Sequence, residues 1–502
     1  MVIRNNWFDE VGAKDNYATQ GDCQELEFTH GIEVEYFLVD RAGKKLSHAE
    51  FGEIYNSILS ETLIYALEKS IPKFYAEKVS SIKIGPSKSS TYDALYINYK
   101  TRGKTVKAEL ISVDRNVVEW PLVELATPPC ESLYELGWWS SIVLALANAR
   151  LNSMGNKNHI MAFGVNPYEK VEDITQSDSF PTCGEHHHIK LIEQKTMGLD
   201  ERAFFTNFYH LVRFFTAYLI LLSACSPFAS GGLWGRYRSN DPKLPFPRCV
   251  RSIRVLYNKK HLCNFQDGEF MPYLEMGWLD RNYFVQEFKR QSNSFRNDTH
   301  FLDIDPYSKE NGTTEIRFFD SQPSTARRVG IAGLIQMFAK KAKKLQVRDE
   351  ENALEILKEN NGNLQALKKM ACEGGNWFRP SIDSIFGKTN NMGKLKRSGI
   401  EKNILSNLVV EMLNFVRAEI NEGNLIYSHF LDPIRYSIYG LDGNGISPAQ
   451  YWLFVYVNQG QDMFRVVNRV LESSKKATNM WYDPIVNEPV MPSQLTDAGG
   501  NR

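Results

Sequence analysis

The chain has 502 residues, 43% of them hydrophobic and 24% charged, with a formal net charge of zero, so it reads as a globular protein with room for one large domain or two to three ordinary ones. The neutral balance excludes the electrostatic footprint of a nucleic-acid or acidic-lipid binder. Seven scattered cysteines with no C-x-x-C pair exclude a disulfide framework and a structural zinc site, and fit reduced thiols.

The N-terminal residues lack the apolar core of a signal peptide, so the expectation is a cytoplasmic protein. The first clear element is a strand over 31–40, Gly-Ile-Glu-Val-Glu-Tyr-Phe-Leu-Val-Asp. Side chains alternate along a strand, which puts Glu33 and Glu35 on one face, roughly 6.6 Å apart. Two carboxylates on a dry face repel each other and lose hydration. A shared Mg²⁺ or Mn²⁺ is one remedy, a solvated polar face the other, and the strand alone does not decide. Residues 50–78 carry apolar residues at helical intervals (Ile54, Ile58, Leu63, Ala66, Leu67). A hairpin follows, 94–100 and 105–113 about a turn at Thr101-Arg-Gly-Lys104.

Leu122–Ala126 is a short apolar strand that carries Glu124, whose carboxylate needs either a salt bridge or a metal. Residues 131–154 are a helix between Pro129 and Gly155. The strand at 186–191 points His186 and His188 to one face and His187 to the other. No H-E-x-x-H helix is present, so a zinc protease is excluded. Residues 204–225 form an apolar helix stopped by Ser226-Pro227; its most apolar run, Phe214 to Cys225, is too short to span a bilayer and reads as core.

The strand at 313–320 places Glu315 and Arg317 on one face, with Ile316 and Phe318 on the other. A cation ligand beside a guanidinium suits a metal-bound phosphate; an ion pair along the strand is the plain alternative. The helix at about 325–345 ends in Lys340, Lys341, Lys343 and Lys344, a solvated C-terminus that suits its dipole. Residues 347–400 are polar and mark the expected domain boundary, and helices at about 400–421 and 447–475 follow. The expected division is a catalytic domain at 1–346, a mostly helical region at 347–488 and a tail at 489–502. Strands with one polar face among long helices predict an α+β fold with an antiparallel sheet. No glycine-rich phosphate loop occurs, which disfavours Rossmann and P-loop sites.

Five motifs in one order resemble the glutamate–cysteine ligase family in its carboxylate–amine ligase branch, of glutamine-synthetase-like fold. They are Gly31-Ile-Glu-Val-Glu35; Asp114 with Glu124-Leu-Ala-Thr-Pro128; Cys183-Gly-Glu-His-His-His188; Ser226-Pro-Phe228 with Arg236-Tyr-Arg238; and Glu315-Ile-Arg-Phe-Phe-Asp320. The resemblance implies a curved antiparallel half-barrel that binds ATP and two or three Mg²⁺ (or Mn²⁺) ions. By position it makes Glu33, Glu35, Glu124, His186 and Glu315 metal ligands. Glu33 would share one ion with His186 and Glu315, and Glu35 another with Glu124. Arg317 would clamp the phosphates of ATP, and Arg236, Arg238 and Asp114 would serve the substrate. Asp114 and Glu124 stand farther apart than in the family pattern, which leaves Glu119 as an alternative to Asp114; Glu185 and His187 replace apolar residues.

The implied reaction joins a carboxylate, glutamate first among candidates, to the amine of an amino acid or peptide through an acyl phosphate, with Glu33, Glu315 and Arg317 at its centre. A phosphotransferase on the same fold and a catalytically silent nucleotide-binding relative are the alternatives. Small-molecule substrates are expected as partners, without nucleic acid or membrane, and a homo-oligomer is left open.

Overall fold

The computed structural model describes residues 26–87, 90–114, 121–155, 157–170, 181–191, 199–233, 252–257, 271, 273–274, 303–305, 313–347, 361–373, 404–423, 425, 429–439 and 446–489. Arg236, Arg238, Glu119, most of the expected boundary at 347–400 and nearly all of the expected tail lie outside them.

One sheet of nine strands organises the chain. In chain order its strands are β1 (Thr29–Val39), β2 (Val79–Pro86), β3 (Asp93–Thr101), β4 (Lys104–Val113), β5 (Val123–Ala126), β6 (His159–Met161), β7 (Gly184–Lys190), β10 (Ile304–Asp305) and β11 (Thr314–Asp320). A separate two-stranded ribbon holds β8 (Phe228–Ala229) and β9 (Gly232–Leu233). The spatial order is β10-β11-β7-β1-β5-β4-β3-β2, with β6 also paired to β1. Every strand pairing among the described residues is antiparallel, and the fold is α+β.

The helix Thr325–Val347 packs between Leu133–Ser153 and Leu199–Ser223, and these three long helices cover the back of the sheet. Ile32, Val34, Tyr36 and Leu38 of β1 alternate into that layer and join the main core. The front of β1 is divided. Glu33 and Glu35 lie at one end, while Phe37 and Val39 are covered by a second core built on Trp452, Val466 and Val467 of the C-terminal helices. The C-terminal region therefore closes one end of the front face and leaves the glutamates beside it.

Several expected boundaries shift for local reasons. The expected helix at 50–78 is three, His48–Ile58, Glu61–Ser70 and Lys73–Ala76. Ser60 caps the second through its hydroxyl, and Pro72 starts the third. The expected helix at 447–475 is two, Pro448–Asn458 and Met463–Lys476, parted where Gly460 and Gln461 adopt φ of +71° and +61°. The expected helix at 400–421 divides into Ile404–Phe415 and Arg417–Glu422. Inside the polar stretch 347–400, Asn361–Glu373 is a helix whose Leu364, Leu367 and Ala371 are buried, and it packs on Leu199–Ser223. That long helix begins earlier than expected. Its segment Ala203–Ser223 is long and apolar enough to cross a membrane by length and composition, which the run Phe214 to Cys225 is not, and here it is wholly buried in the core.

Candidate metal and phosphate site

Strand register assembles the site. Glu33 pairs with His186 across β1 and β7, and Glu315 pairs with His188 across β7 and β11. On the other side of β1, Glu35 lies directly opposite Glu124 of β5, which lies opposite Ser112 of β4. Directly opposed residues share a face, so one front surface collects all these polar groups.

They form two groups. Ligand atoms of Glu33, His186 and Glu315 lie within 4.8 Å of one another, and so do those of Glu35, Asp114 and Glu124. In the first group His186 Nδ1 is 3.9 Å from Glu33 and 3.6 Å from Glu315, and His188 Nε2 is 3.1 Å from Glu33. His186 Nε2 reaches toward the second group, 3.8 Å from Glu35. In the second group the Gly184 N–H donates to Glu35 Oε2 at 2.6 Å, and the Ser112 hydroxyl donates to Glu124 Oε1 at 3.0 Å.

The electrostatics differ between the groups. Burial pushes Glu33 up, but His188 and His186 outweigh it and hold its carboxyl well below the usual range. Burial likewise opposes ionisation of Glu315, and Arg317, His188 and His186 bring it down. Burial also works against a charged His188, yet Glu33 and Glu315 raise it to about 9. Glu124 goes the other way: burial, then Glu33, Asp114 and Glu35, push it well above the carboxylate range. Crowded carboxylates resist shared ionisation unless a cation joins them. The donor sets, three carboxylates in one group and two carboxylates with an imidazole in the other, are those of a hard divalent cation such as Mg²⁺ or Mn²⁺.

Arg317 stands beside the first group, its Nη2 2.5 Å from Glu315 Oε2. A β-bulge follows it on the strand. Ile316 pairs with His187 and Phe319 with Glu185, so three steps on β11 match two on β7. The extra residue changes the phase of alternation. Ile316, Phe318 and Phe319 all join the main core, while Glu315 and Arg317 face the ligand groups and Asp320 meets Ser226 and Ser252.

Sequence reasoning missed two parts of this arrangement. Arg254, 2% exposed, donates to the carbonyls of Arg317 and Phe319, both at 3.0 Å, and so holds the bulge. It lies over Gly184, where a Cβ would come 2.1 Å from its Nη2, so the glycine gives this guanidinium its space. Asp320 is fully buried; its carboxylate accepts from Ser226 Oγ at 2.7 Å, Cys225 N at 3.0 Å and Ser252 Oγ at 2.8 Å. It ties β11 to the segment that delivers Arg254. Arg254 lies in no periodic pattern, and Asp320 stands in the sequence only as the end of the Glu315–Asp320 motif, which gives it no role by itself.

No family model matches the sequence, and no curated protein matches it. Solved structures similar in outline include a bifunctional glutathione synthetase from Pasteurella multocida, with 13% identity and a TM-score of 0.45 over 94% of this chain and 55% of that one. This chain thus spans about half the length of that protein. Another is a glutamate–cysteine ligase from Francisella tularensis in complex with AMP, with 12% identity and a TM-score of 0.44 over 95% of this chain and 93% of that one. A third is the ligase PafA in complex with the ubiquitin-like protein Pup, with 13% identity and a TM-score of 0.30 over 90% and 79%. Likeness at this level does not fix an activity.

Proposed function

We propose that the chain is an ATP-dependent carboxylate–amine ligase. The observation that carries this reading is the pair of ligand groups on either side of β1, with Arg317 on the next strand but one. In this reading Glu33, His186 and Glu315 hold one divalent cation, and Glu35 and Glu124, with Asp114, hold the other. The bound cations supply neutralisation of phosphate charge. Arg317 releases its contact with Glu315 and donates instead to phosphate oxygens, which accept bidentately from its planar fork. Arg236 or Arg238 is assigned to an anionic group of the substrate. With cations held there, the site would align the phosphates for in-line attack of a substrate carboxylate, glutamate by first choice, on the γ-phosphate with ADP as leaving group, and an amine would then displace phosphate from the acyl phosphate to form the amide. The C-terminal helices, from 347 to 488, serve as a cover at one end of the cleft. A cytoplasmic setting suits the four described cysteines, which are buried and form no disulfide.

The test is incubation with ATP, Mg²⁺ and a panel of amino acids and short peptides, following ADP and the products by mass spectrometry. ADP release that requires both a carboxylate and an amine supports the ligase. A phosphorylated product formed without an amine replaces it with a phosphotransferase. ATP binding without turnover on any member of the panel replaces it with a silent relative.

A further inference from the structure

The face that carries the two ligand groups continues past them. Lys190 lies two positions beyond His188 on β7, opposite Thr29 of β1. It shares the front face with His186, about 13 Å along the strand. A cavity of about 280 Å³ opens at this end of the strands, between them and the C-terminal end of the helix Thr325–Val347 behind the sheet. Three cations line it, Arg102, Lys190 and Lys343, against one carboxylate, Glu27. Phe28 and Leu191 give it an apolar wall.

The cations are held differently. Lys343 pairs with Glu27 at 2.5 Å. Arg102 begins the turn between β3 and β4, with φ of +45° followed by Gly103 at +75°. That left-handed pair turns the guanidinium back over the strand ends, where Nη2 donates to the carbonyls of Leu26 and Glu27 at 2.6 and 2.7 Å. Lys190 is half-buried and has no hydrogen-bond or ion-pair partner among the described residues. An ammonium with no carboxylate beside it is open to an anion entering the cavity.

We infer that this cavity binds a small organic anion through a carboxylate or phosphate group. Lys190 supplies the free charge, Arg102 a pre-oriented fork and Lys343 a second ammonium at the rim, with Phe28 and Leu191 against the apolar part of the ligand. The volume is at the low end for ligand pockets and suits a small metabolite. The inference does not rest on the ligase reading, because it uses neither ligand group nor Arg317.

The experiment is calorimetric titration of the full chain in EDTA with glycerol 1-phosphate and, separately, glutarate. Saturable one-to-one binding of one probe identifies phosphate or carboxylate as the preferred group, and it weakens with added salt. Losing one charge-assisted contact in Lys190→Met weakens binding about tenfold or more. Lys343→Met, which removes a largely exposed ammonium, weakens it severalfold, and Arg317→Met leaves it unchanged. The inference is overturned if neither probe binds at tens of millimolar, if both lysine variants bind as the parent does, or if Arg317→Met abolishes binding. A Lys190→Met chain that does not fold leaves the Lys343→Met and Arg317→Met results to decide.

Discussion

Strand β7 carries four ionisable residues in a row, Glu185-His186-His187-His188, and its two faces treat them oppositely. Behind the sheet, Glu185 meets Arg328 at 3.2 Å with both side chains fully buried. Arg328 also donates to Ser140 Oγ and the Gln322 carbonyl, and the Gln322 N–H donates to Glu185. His187 belongs to a neutral chain. The Gln336 amide is 3.2 Å from His30 Nδ1, and His30 Nε2 is 3.1 Å from His187 Nδ1. Since the amide nitrogen donates, His30 accepts at Nδ1 and donates from Nε2. In front, His186 and His188 stand among Glu33 and Glu315; ligand atoms of His186 and the two glutamates lie within 4.8 Å of one another, and Glu33 is 31% exposed. Charge behind the strand is answered by a buried ion pair, whereas charge in front gathers in a partly exposed group of candidate ligands. That contrast separates a structural polar layer from a candidate site more sharply than residue type does.

The largest effect tests the front. Glu33→Gln and Glu315→Gln should each lower ligase turnover by about a thousandfold or more, near 4 kcal/mol of transition-state stabilisation, with the fold retained. Steady-state kinetics beside circular dichroism checks this, and near-parental turnover in either variant removes that residue from the metal assignment. The back should respond in the reverse sense. Arg328→Met leaves Glu185 buried without its cation and should cost about 3 kcal/mol of stability. The double variant Glu185→Leu/Arg328→Met should recover much of that loss, because two apolar groups leave no uncompensated charge. A urea unfolding series of the three chains decides it; a double variant no more stable than Arg328→Met shows that the pair is held by more than charge.

Acid and base should also distinguish the faces. Burial, with a smaller contribution from His188, lowers His30 to about 3. Its folded state disfavours the proton, so stability should fall as pH drops below about 6.5, by about 2 kcal/mol at pH 5 for this ring. His188 is raised to about 9, so in the metal-free protein it contributes stability below about 6.5 that is lost as pH rises through 9. A cation held by Glu33 and Glu315 removes the attraction that raises His188. Mg²⁺ should therefore bind more tightly, and release fewer protons, as pH rises from 7 to 9. Thermal unfolding with and without EDTA across pH 4–9 reads both windows; an alkaline loss of stability that Mg²⁺ does not diminish would sink the front-face account.

Much of this contrast was legible in the sequence, and the rest failed for definite reasons. Alternation alone put Glu33 with Glu35, His186 with His188, and Glu315 with Arg317 on shared faces, and the structure brings those faces together. The phase change on β11 was not legible, because a bulge inserts one residue without a compositional mark. Strict alternation would send Phe319 to the front and Asp320 to the core, whereas Phe319 joins the core beside Phe318 and Asp320 accepts from Ser226 and Ser252. The partners of Glu185 and His187 lie far away in the chain, in Arg328 and in His30 with Gln336, so local pattern could not show that these departures from an apolar strand were answered. The break after Ile58 turned on Ser60 as a cap, a signal that the longer apolar period overrode. The arginines at the described site are Arg317 and, behind its backbone, Arg254, whereas Arg236 and Arg238 lie outside the described residues.

The smallest effect comes from the helix that also supplies Arg328. Thr325–Val347 carries Arg328 near its start, buried against β7, and Lys343 near its end, paired with Glu27 at 2.5 Å but 56% exposed. The shorter contact belongs to the weaker interaction, because water already solvates both Lys343 and Glu27 and leaves little to gain from pairing them. Lys343→Ala should therefore change unfolding stability by no more than about 0.5 kcal/mol. A loss comparable to that of Arg328→Met would mean that contact distance, and not desolvation, governs the two pairs, and the division between the faces of β7 would lose its physical basis.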